Sequence, residues 1–355
     1  MVKTRMPNTP STPDIDELIP DHVTFPEMPT YIPPPALDTI NRSPVFDVRY
    51  LGWEHISTIV ENNVIRAIEM AHIDWLVLPR LVIVDGMPVP GRFANVRSDL
   101  PPGSNVIEIV GSKYQIIQNK EGLAFVQNII DSGLVTIERA GMYDEGRSVF
   151  LLAKAPDITI DGEVITPYVT FCNSHDGSGK VKAAITTVRA ASNSALPVSL
   201  MSSSTPRMWA ITHTKSAVDH MAAASESMHF IGNYLAEYPR VVGEMMHTRV
   251  TIPQVDKITA ALFPIPQATE HNKTAVTNAK DARYLFERVY GETPDLRRWE
   301  GTVWGLLCAY ADVISHREPR RATATFDQNR FANNMIAGRD MERAQSIIMA
   351  IVRGA

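Results

Sequence analysis

"LVTIERAGMYDEGRSVFLLAKAPDITIDGEVITPYVTFCNS", Leu134–Ser174, decides the fold. Its apolar residues fall in short runs rich in Val, Ile, Tyr and Phe. They are cut at Asp144-Glu145-Gly146 and at Asp161-Gly162, where Asp-Gly supplies the positive φ angles of a tight turn. Three to four antiparallel strands are expected. The next residues close this meander: "PYVTFCNS" is a strand, "HDGSGK" (His175–Lys180) a turn, "VKAAITTV" a further strand, and "RAASNSALPVSLMS" an irregular or helical exit.

Upstream, Asp85-Gly86 marks a hairpin inside "WLVLPRLVIVDGMPVPGRFANV", and "VIEIVGSKYQIIQ" continues the strand pattern. "NKEGLAFVQNIIDSG" predicts one helix, N-capped by Asn119 and ended by Gly133. "WEHISTIVENNVIRAIEMAHIDW" places Ile56, Ile59, Val60, Val64, Ile68 and Met70 at mostly helical spacing and predicts an amphipathic helix. Ten of the 25 prolines lie in the first 44 residues, where missing amide donors and fixed φ angles oppose helix and sheet. Beyond Ser216 five stretches carry helical periodicity, and no internal repeat is present. The reading is an α+β protein: a helix plus an antiparallel β-meander core, followed by a mainly helical C-terminal half. Its parts are a proline-rich extended arm (1–45), the α+β core (46–215) and the helical region (216–355).

The chain has 355 residues, 45% hydrophobic and 21% charged, which suits a folded protein with a sizeable core and excludes pervasive disorder. No run of about 18 apolar residues occurs and the first 20 residues lack the apolar centre of a secretory signal, so a cytoplasmic protein without membrane insertion is expected. The two cysteines, Cys172 and Cys308, provide neither a disulfide framework nor a cysteine zinc site. A net charge of −5 excludes a generally basic nucleic-acid coat, so attention turns to local patches. Between Asn173 and His220 the basic residues Lys180, Lys182, Arg189, Arg207 and Lys215 face only Asp176 and Asp219. "SHREPRR" (Ser315–Arg321) is a second basic cluster.

Three chemistries compete for "NSHDGSGK". As a phosphate loop it lacks the leading glycine, the final hydroxyl and the following helix of G-x-x-x-x-G-K-[ST], so a hairpin turn explains Gly177, Ser178 and Gly179 better. As a metal site, His175, Asp176 and His213 are the available trio, without the H-x-x-x-H or H-E-x-x-H spacing that sets two ligands on one helix face. No G-x-S-x-G nucleophile motif exists, and no catalytic residue is assigned. Nucleic-acid contact needs cations for phosphate and flat side chains for bases. Alternation along "KVKAAITTVR" puts Lys180, Lys182 and Ala184 on one face and turns Val181, Ala183 and Ile185 inward. Arg189, Arg207 and Lys215 add charge, and Trp209 and Tyr168 are the stacking candidates. The rival to this reading is a solvated strand edge blunted by lysines.

The order of "LGWEHISTIVENNVIRAIEMAHIDW", "VGSKYQIIQNKEGLAFVQNII", "ERAGMYDEGRSVFLLAK", "FCNSHDGSGKVKAAITTVRAASN", "ITHTKSAVDHM" and "GTVWGLLCAYADVISHRE" resembles the phage/plasmid-like proteins gathered as domain of unknown function 932. The resemblance runs from about residue 48 to 350. It departs at Ser192, where the family usually shows cysteine, and at Cys308-Ala309, where it shows Asn-Ala. The family's activity is not established, but its setting, mobile DNA, implies recombination, replication or host takeover. The helix and meander order around 119–200 is similar in topology to phage single-strand annealing proteins of the RecT and Erf kind.

The resulting expectation is a phage-encoded DNA-metabolism protein of the bacterial cytoplasm that binds single-stranded DNA, with strand annealing in homologous recombination as its extension. No cofactor is required for that activity. Its partners would be single-stranded DNA, further copies of itself as a homo-oligomer, and host or phage recombination proteins. His175 to Gly179 would shape the groove. Two alternatives stay open: a metal-dependent phosphodiesterase or nuclease using a divalent ion on His175, Asp176 and His213, and a protein-binding antagonist of a host system.

Overall fold

A computed structural model describes residues 56–177, 179–200, 205–214, 229–317, 323 and 325–354. The proline-rich arm, Ser178, Lys215, the predicted helical residues 216–228 and most of the "SHREPRR" cluster lie outside the described residues.

Strand β1 (Ile56–Thr58) is followed by a short helix α1 (Val64–Met70), whose N-cap Asn63 accepts a hydrogen bond from the Arg66 amide at 3.0 Å. The predicted long helix is therefore divided: Ile56 belongs to a strand paired with β5, and only Val64–Met70 is helical. The helix-competent spacing before Asn63 yields to sheet pairing, which leaves Val60 exposed. Then β2 (Val77–Val84), β3 (Met87–Arg97) and β4 (Val106–Gly111) form a three-stranded antiparallel sheet. Asp85 (φ 51°) and Gly86 (φ 78°) make the expected turn between its first two strands.

The next predicted helix is two, α2 (Asn119–Ala124) and α3 (Val126–Asp131), broken at Phe125. Gln118, not Asn119, caps it, through a reciprocal box with Glu121. The Asn119 amide is needed elsewhere.

The meander follows as β5 (Thr136–Tyr143), β6 (Ser148–Lys154), β7 (Ile158–Ile160), β8 (Glu163–Ser174), β9 (Val181–Arg189), β10 (Ala195–Leu196) and β11 (Met208–Ile211). With β1 they make one antiparallel sheet in the order β1-β5-β6-β8-β9-β10, with β11 also pairing β9 and β7 pairing β8. Every residue of β8 except Val164 is buried, as a central strand covered on both faces must be. Strict alternation sorts the two faces. Val149, Leu151, Val169, Phe171, Ala183 and Ile185 join the larger core with the helices, whereas Phe150, Leu152, Tyr168, Cys172, Ala184 and Val188 face the other way.

The helices are α4 (His229–His247), α5 (Ile252–Leu262), α6 (Lys273–Glu292), α7 (Val303–His316), α8 (Phe326–Phe331) and α9 (Arg339–Arg353), with a π-helical turn, Ala332–Ala337, between the last two. Helix α7 is buried nearly all round, and its Trp304, Leu306, Leu307 and Cys308 continue the larger core. The second sheet face is closed by Phe331, Met335 and Ile336. The helical half is thus packed on the sheet, sharing its core.

Glycine spacing inside the helices tests this packing. A Cβ at Gly305 would overlap the Trp299 carbonyl, whereas one at Gly243 in α4 meets nothing within 4 Å. Gly305→Ala is expected to destabilise by about 2 kcal/mol or more, as overpacking against backbone does. Gly243→Ala should stabilise by about 0.5–1 kcal/mol through helix propensity. Urea unfolding midpoints of the two variants should move in opposite directions.

Candidate nucleic-acid interface

The turn between β8 and β9 is held from four sides. The His175 amide donates to the Arg147 carbonyl at 2.7 Å, and the His175 carbonyl accepts from Asn95 Nδ2 at 2.8 Å. Asn119 Nδ2 donates to the Ile73 carbonyl, so its Oδ1 must accept, and it takes the Nε2–H of His175 at 2.6 Å. That fixes the ring's tautomer and leaves the Nδ1 lone pair buried, with no partner among the described residues. Asn173 donates to the Ile117 carbonyl, and it lies so close to α2 that a Cβ at Gly122 would sit 2.8 Å from its Nδ2. Burial, reinforced by His213 against the pull of Asp176, holds His175 down at about 3, so the imidazole is neutral.

Asp176 closes the turn on itself: Oδ1 accepts from the Ser174 hydroxyl at 2.8 Å and from the Gly179 amide at 3.2 Å. Gly177 takes φ +75°, and the Val110 side chain of β4 lies 3.2 Å from where its Cβ would be. Tyr114 donates to the Ser174 carbonyl at 2.9 Å and stacks on His213 at 4.9 Å. His213 Nδ1 donates to the Gln115 carbonyl, and burial lowers this ring as well.

Two turns are thereby clasped together, the one after β4 and the one before β9. Lys113 and Lys180 are exposed on them, and Lys182 is partly exposed two residues further on. Arg92 on β3 opposes Gly111, and the Ser112 amide donates to the Gly91 carbonyl, so an exposed guanidinium adjoins the same edge. None of these four cations has an acidic partner among the described residues. Some cations elsewhere are paired, as Arg66 is with Glu69, Arg240 with Glu244 and Arg288 with Glu292, whereas exposed Lys257, Lys273 and Arg343 have no acidic partner among the described residues either.

Residues 106–336, more than half of the chain, match the family model described as Domain of unknown function (DUF932). The chain belongs to the DUF932 family. No curated protein and no solved structure matches it. The matched span contains both clasped turns of this DUF932 protein and the meander, and starts after the β2–β3 hairpin. No helix among the described residues is long and apolar enough to cross a membrane.

Three of the basic or aromatic residues picked from the sequence are interior. Arg189 is fully buried: Nε donates to Glu163 Oε1 at 2.8 Å, Nη1 to Ser192 Oγ at 3.3 Å, and Nη2 lies 2.8 Å from Asp295 Oδ2. Glu163 also accepts from Trp299 Nε1 and Arg298. Burial raises this carboxyl, but Arg189 and the hydrogen bonds outweigh it and hold it below its ordinary value. Arg207 is buried between Glu342 Oε1 at 2.9 Å and the Ile185, Ile336 and Ala337 carbonyls, where it caps the π-helical turn. Tyr168 is buried with its hydroxyl on Glu138. A phosphate or base cannot reach these three, because each is consumed by a partner distant in sequence.

Trp209 is partly buried against Phe125 and pairs with Ala183, whereas Lys182 pairs with Ala210, so alternation puts the two side chains on opposite sheet faces. The face of Lys182 and Ala184 is no open groove, since Phe331 and Met335 fill it. His175, Asp176 and His213 do not converge as ligands: among the described residues no group of three His, Cys, Asp or Glu side chains is placed to hold a metal. Sequence reading missed Lys113 and Arg92, whose only signal is their place beside a turn.

Arg189→Met would strand Glu163, Asp295 and Asp312 and is expected to cost about 3–5 kcal/mol in urea unfolding. For His175 the unfolded ring titrates near 6.5 and the folded one at about 3. Only the unfolded chain binds that proton between these values, so stability is full above pH 6.5 and declines as pH falls toward 3. The slope approaches about 1.4 kcal/mol per pH unit. Thermal melts between pH 6 and 4 should show a shallower decline for His175→Gln than for the unsubstituted protein; equal slopes would refute the buried neutral imidazole.

Proposed function

We propose that this protein binds single-stranded DNA along the edge where the two clasped turns meet. The observation that carries the reading is a set of cations without acidic partners among the described residues, exposed Arg92, Lys113 and Lys180 with partly exposed Lys182, on or beside turns whose backbone is held by buried side chains. Unpaired cations on a rigid edge can replace the counterions of a phosphate backbone without first breaking ion pairs of their own. The polar framework of His175, Asn119, Asn173 and Asp176 supports this edge and performs no chemistry. Annealing of complementary strands by several copies, in the bacterial cytoplasm and on behalf of a mobile genome, is the wider role this reading suggests.

Fluorescence anisotropy of a labelled oligonucleotide over a range of salt concentrations tests it. Affinity should fall with salt and be unaffected by chelator. The triple substitution Lys113→Ala, Lys180→Ala, Lys182→Ala should weaken binding at least about tenfold and reduce the salt slope by about 2, the value for three lost phosphate contacts on a single strand. The melting temperature should not move. Absence of binding at low salt would eliminate the proposal, and cleavage of the oligonucleotide that stops on chelation would favour a metal-dependent nuclease.

A further inference from the structure

The β2–β3 hairpin carries a feature that the basic edge does not explain. Leu81, Ile83, Val84 and Met87 are 60%, 61%, 56% and 70% exposed, four large apolar side chains within seven residues, and none belongs to either core. Val84 opposes Met87, so these two share one face at the tip, and exposed apolar side chains grouped in this way mark a contact surface. Arg80 and Arg92 flank it, both exposed and without acidic partners among the described residues, and Asp85 at the tip is its one acid. The register gives the two arginines one face of the ribbon: Arg80 opposes Ala94, which lies two residues from Arg92 on β3, and Ile109, 48% exposed, opposes Ala94 from β4.

We infer that this hairpin is the base-contacting arm of the same interface: an apolar ribbon laid against unstacked bases, with Arg80 and Arg92 on the flanking phosphates. The inference rests on the nucleic-acid reading above. Its occupant follows from charge complementarity, because unpaired cations beside apolar side chains match a strand that offers phosphates and base faces together, and Ile, Leu, Met and Pro are side chains that serve as wedges between bases. Continuity supports it too: Arg92 opposes Gly111, two residues before Lys113, so the ribbon leads directly into the basic edge. Strand addition by a second protein is disfavoured at both margins of the ribbon. Pro79 has no donor and Val77 is bonded on both backbone groups to Gln118, while Pro88 and Pro90 withhold donors from β3 beyond its pairing with β4. That leaves side-chain contact as the ribbon's mode of use.

The test compares the unsubstituted protein, the Lys113/Lys180/Lys182 alanine variant and an Ile83→Ser, Val84→Ser, Met87→Ser variant. Each is titrated onto a single-stranded oligonucleotide containing 2-aminopurine. The serine positions are solvent-facing, so an unchanged melting temperature is expected. The inference requires the serine variant to bind at least about tenfold more weakly with an unchanged salt slope, since apolar contacts release no counterions, and to lose the 2-aminopurine signal change. Normal affinity and signal in the serine variant, beside a weakened lysine variant, would overturn the inference and leave the basic edge intact. Sedimentation velocity in which the serine changes dissolve a self-associated form without altering DNA affinity would also overturn it, assigning the ribbon to protein contact. No binding by the unsubstituted protein would remove both readings.

Discussion

The buried guanidinium of Arg189 is the constraint on which the rest of the structure depends. It ends β9 and reaches back to Glu163 at the start of β8, forward to Asp295 in the 3₁₀ turn before α7, and toward Asp312 on α7 itself, 4.0 Å away. Asp312 accepts from Ser194, whose hydroxyl also meets that of Ser192, and Ser192 presents its carbonyl to His316. One cation thus joins the sheet, the loop after it and the central helix. Desolvating such a group is expensive, and apolar packing of equal volume would often be as stable. What the ionic set adds is register: three acids from separate elements converge on one planar donor, so a slipped strand or rotated helix would leave buried charge unpaired.

Fixing α7 against the sheet has a consequence for where function can sit. The larger core fills one sheet face, and the chain's own C-terminal segment, held by Arg207 on the Ile336 and Ala337 carbonyls, fills the other. A sheet covered on both faces has no open surface to offer a ligand. What remains are its ends and the small sheet beside it, where Arg92, Lys113 and Lys180 lie. Interior polar side chains of the β8–β9 turn work to the same end. Asn119, Asn173 and His175 spend hydrogen bonds on backbone groups and on one another, so the exposed lysines beside them stand on a rigid base.

Much of this architecture was legible locally. Asp85-Gly86 and Asp161-Gly162 took the positive φ angles that their turns demand, and the strand alternation around Ala183 and Ala184 sorted the two faces correctly. What failed was any judgement that depended on partners far along the chain. Arg189, Arg207 and Lys180 look alike in a charge count. The fates of the two arginines are set by Asp295, Asp312 and Glu342, more than 100 residues away, which no local pattern brings near. Asn119 has a good cap's chemistry and an adequate position, yet His175 and Ile73 claim its amide and Gln118 caps in its place. Local rules describe what a side chain can do, and tertiary competition chooses among those options.

That competition also separates the two basic populations by principle. A cation inside this protein is charge-matched by acids and backbone carbonyls, because an unmatched one would be prohibitively costly in a medium of low dielectric constant. On the surface water solvates an unmatched cation at little cost, so pairing there is optional. Arg66 and Arg240 each have an acid one helical turn away, whereas exposed Lys257, Lys273 and Arg343 on other helices have none among the described residues. Around Arg92, Lys113 and Lys180 there is likewise no acidic partner among the described residues, and the adjoining ribbon leaves apolar side chains in water as well. What sets this edge apart is that its cations lie beside exposed apolar side chains, and it is on that combination that the proposed nucleic-acid contact rests.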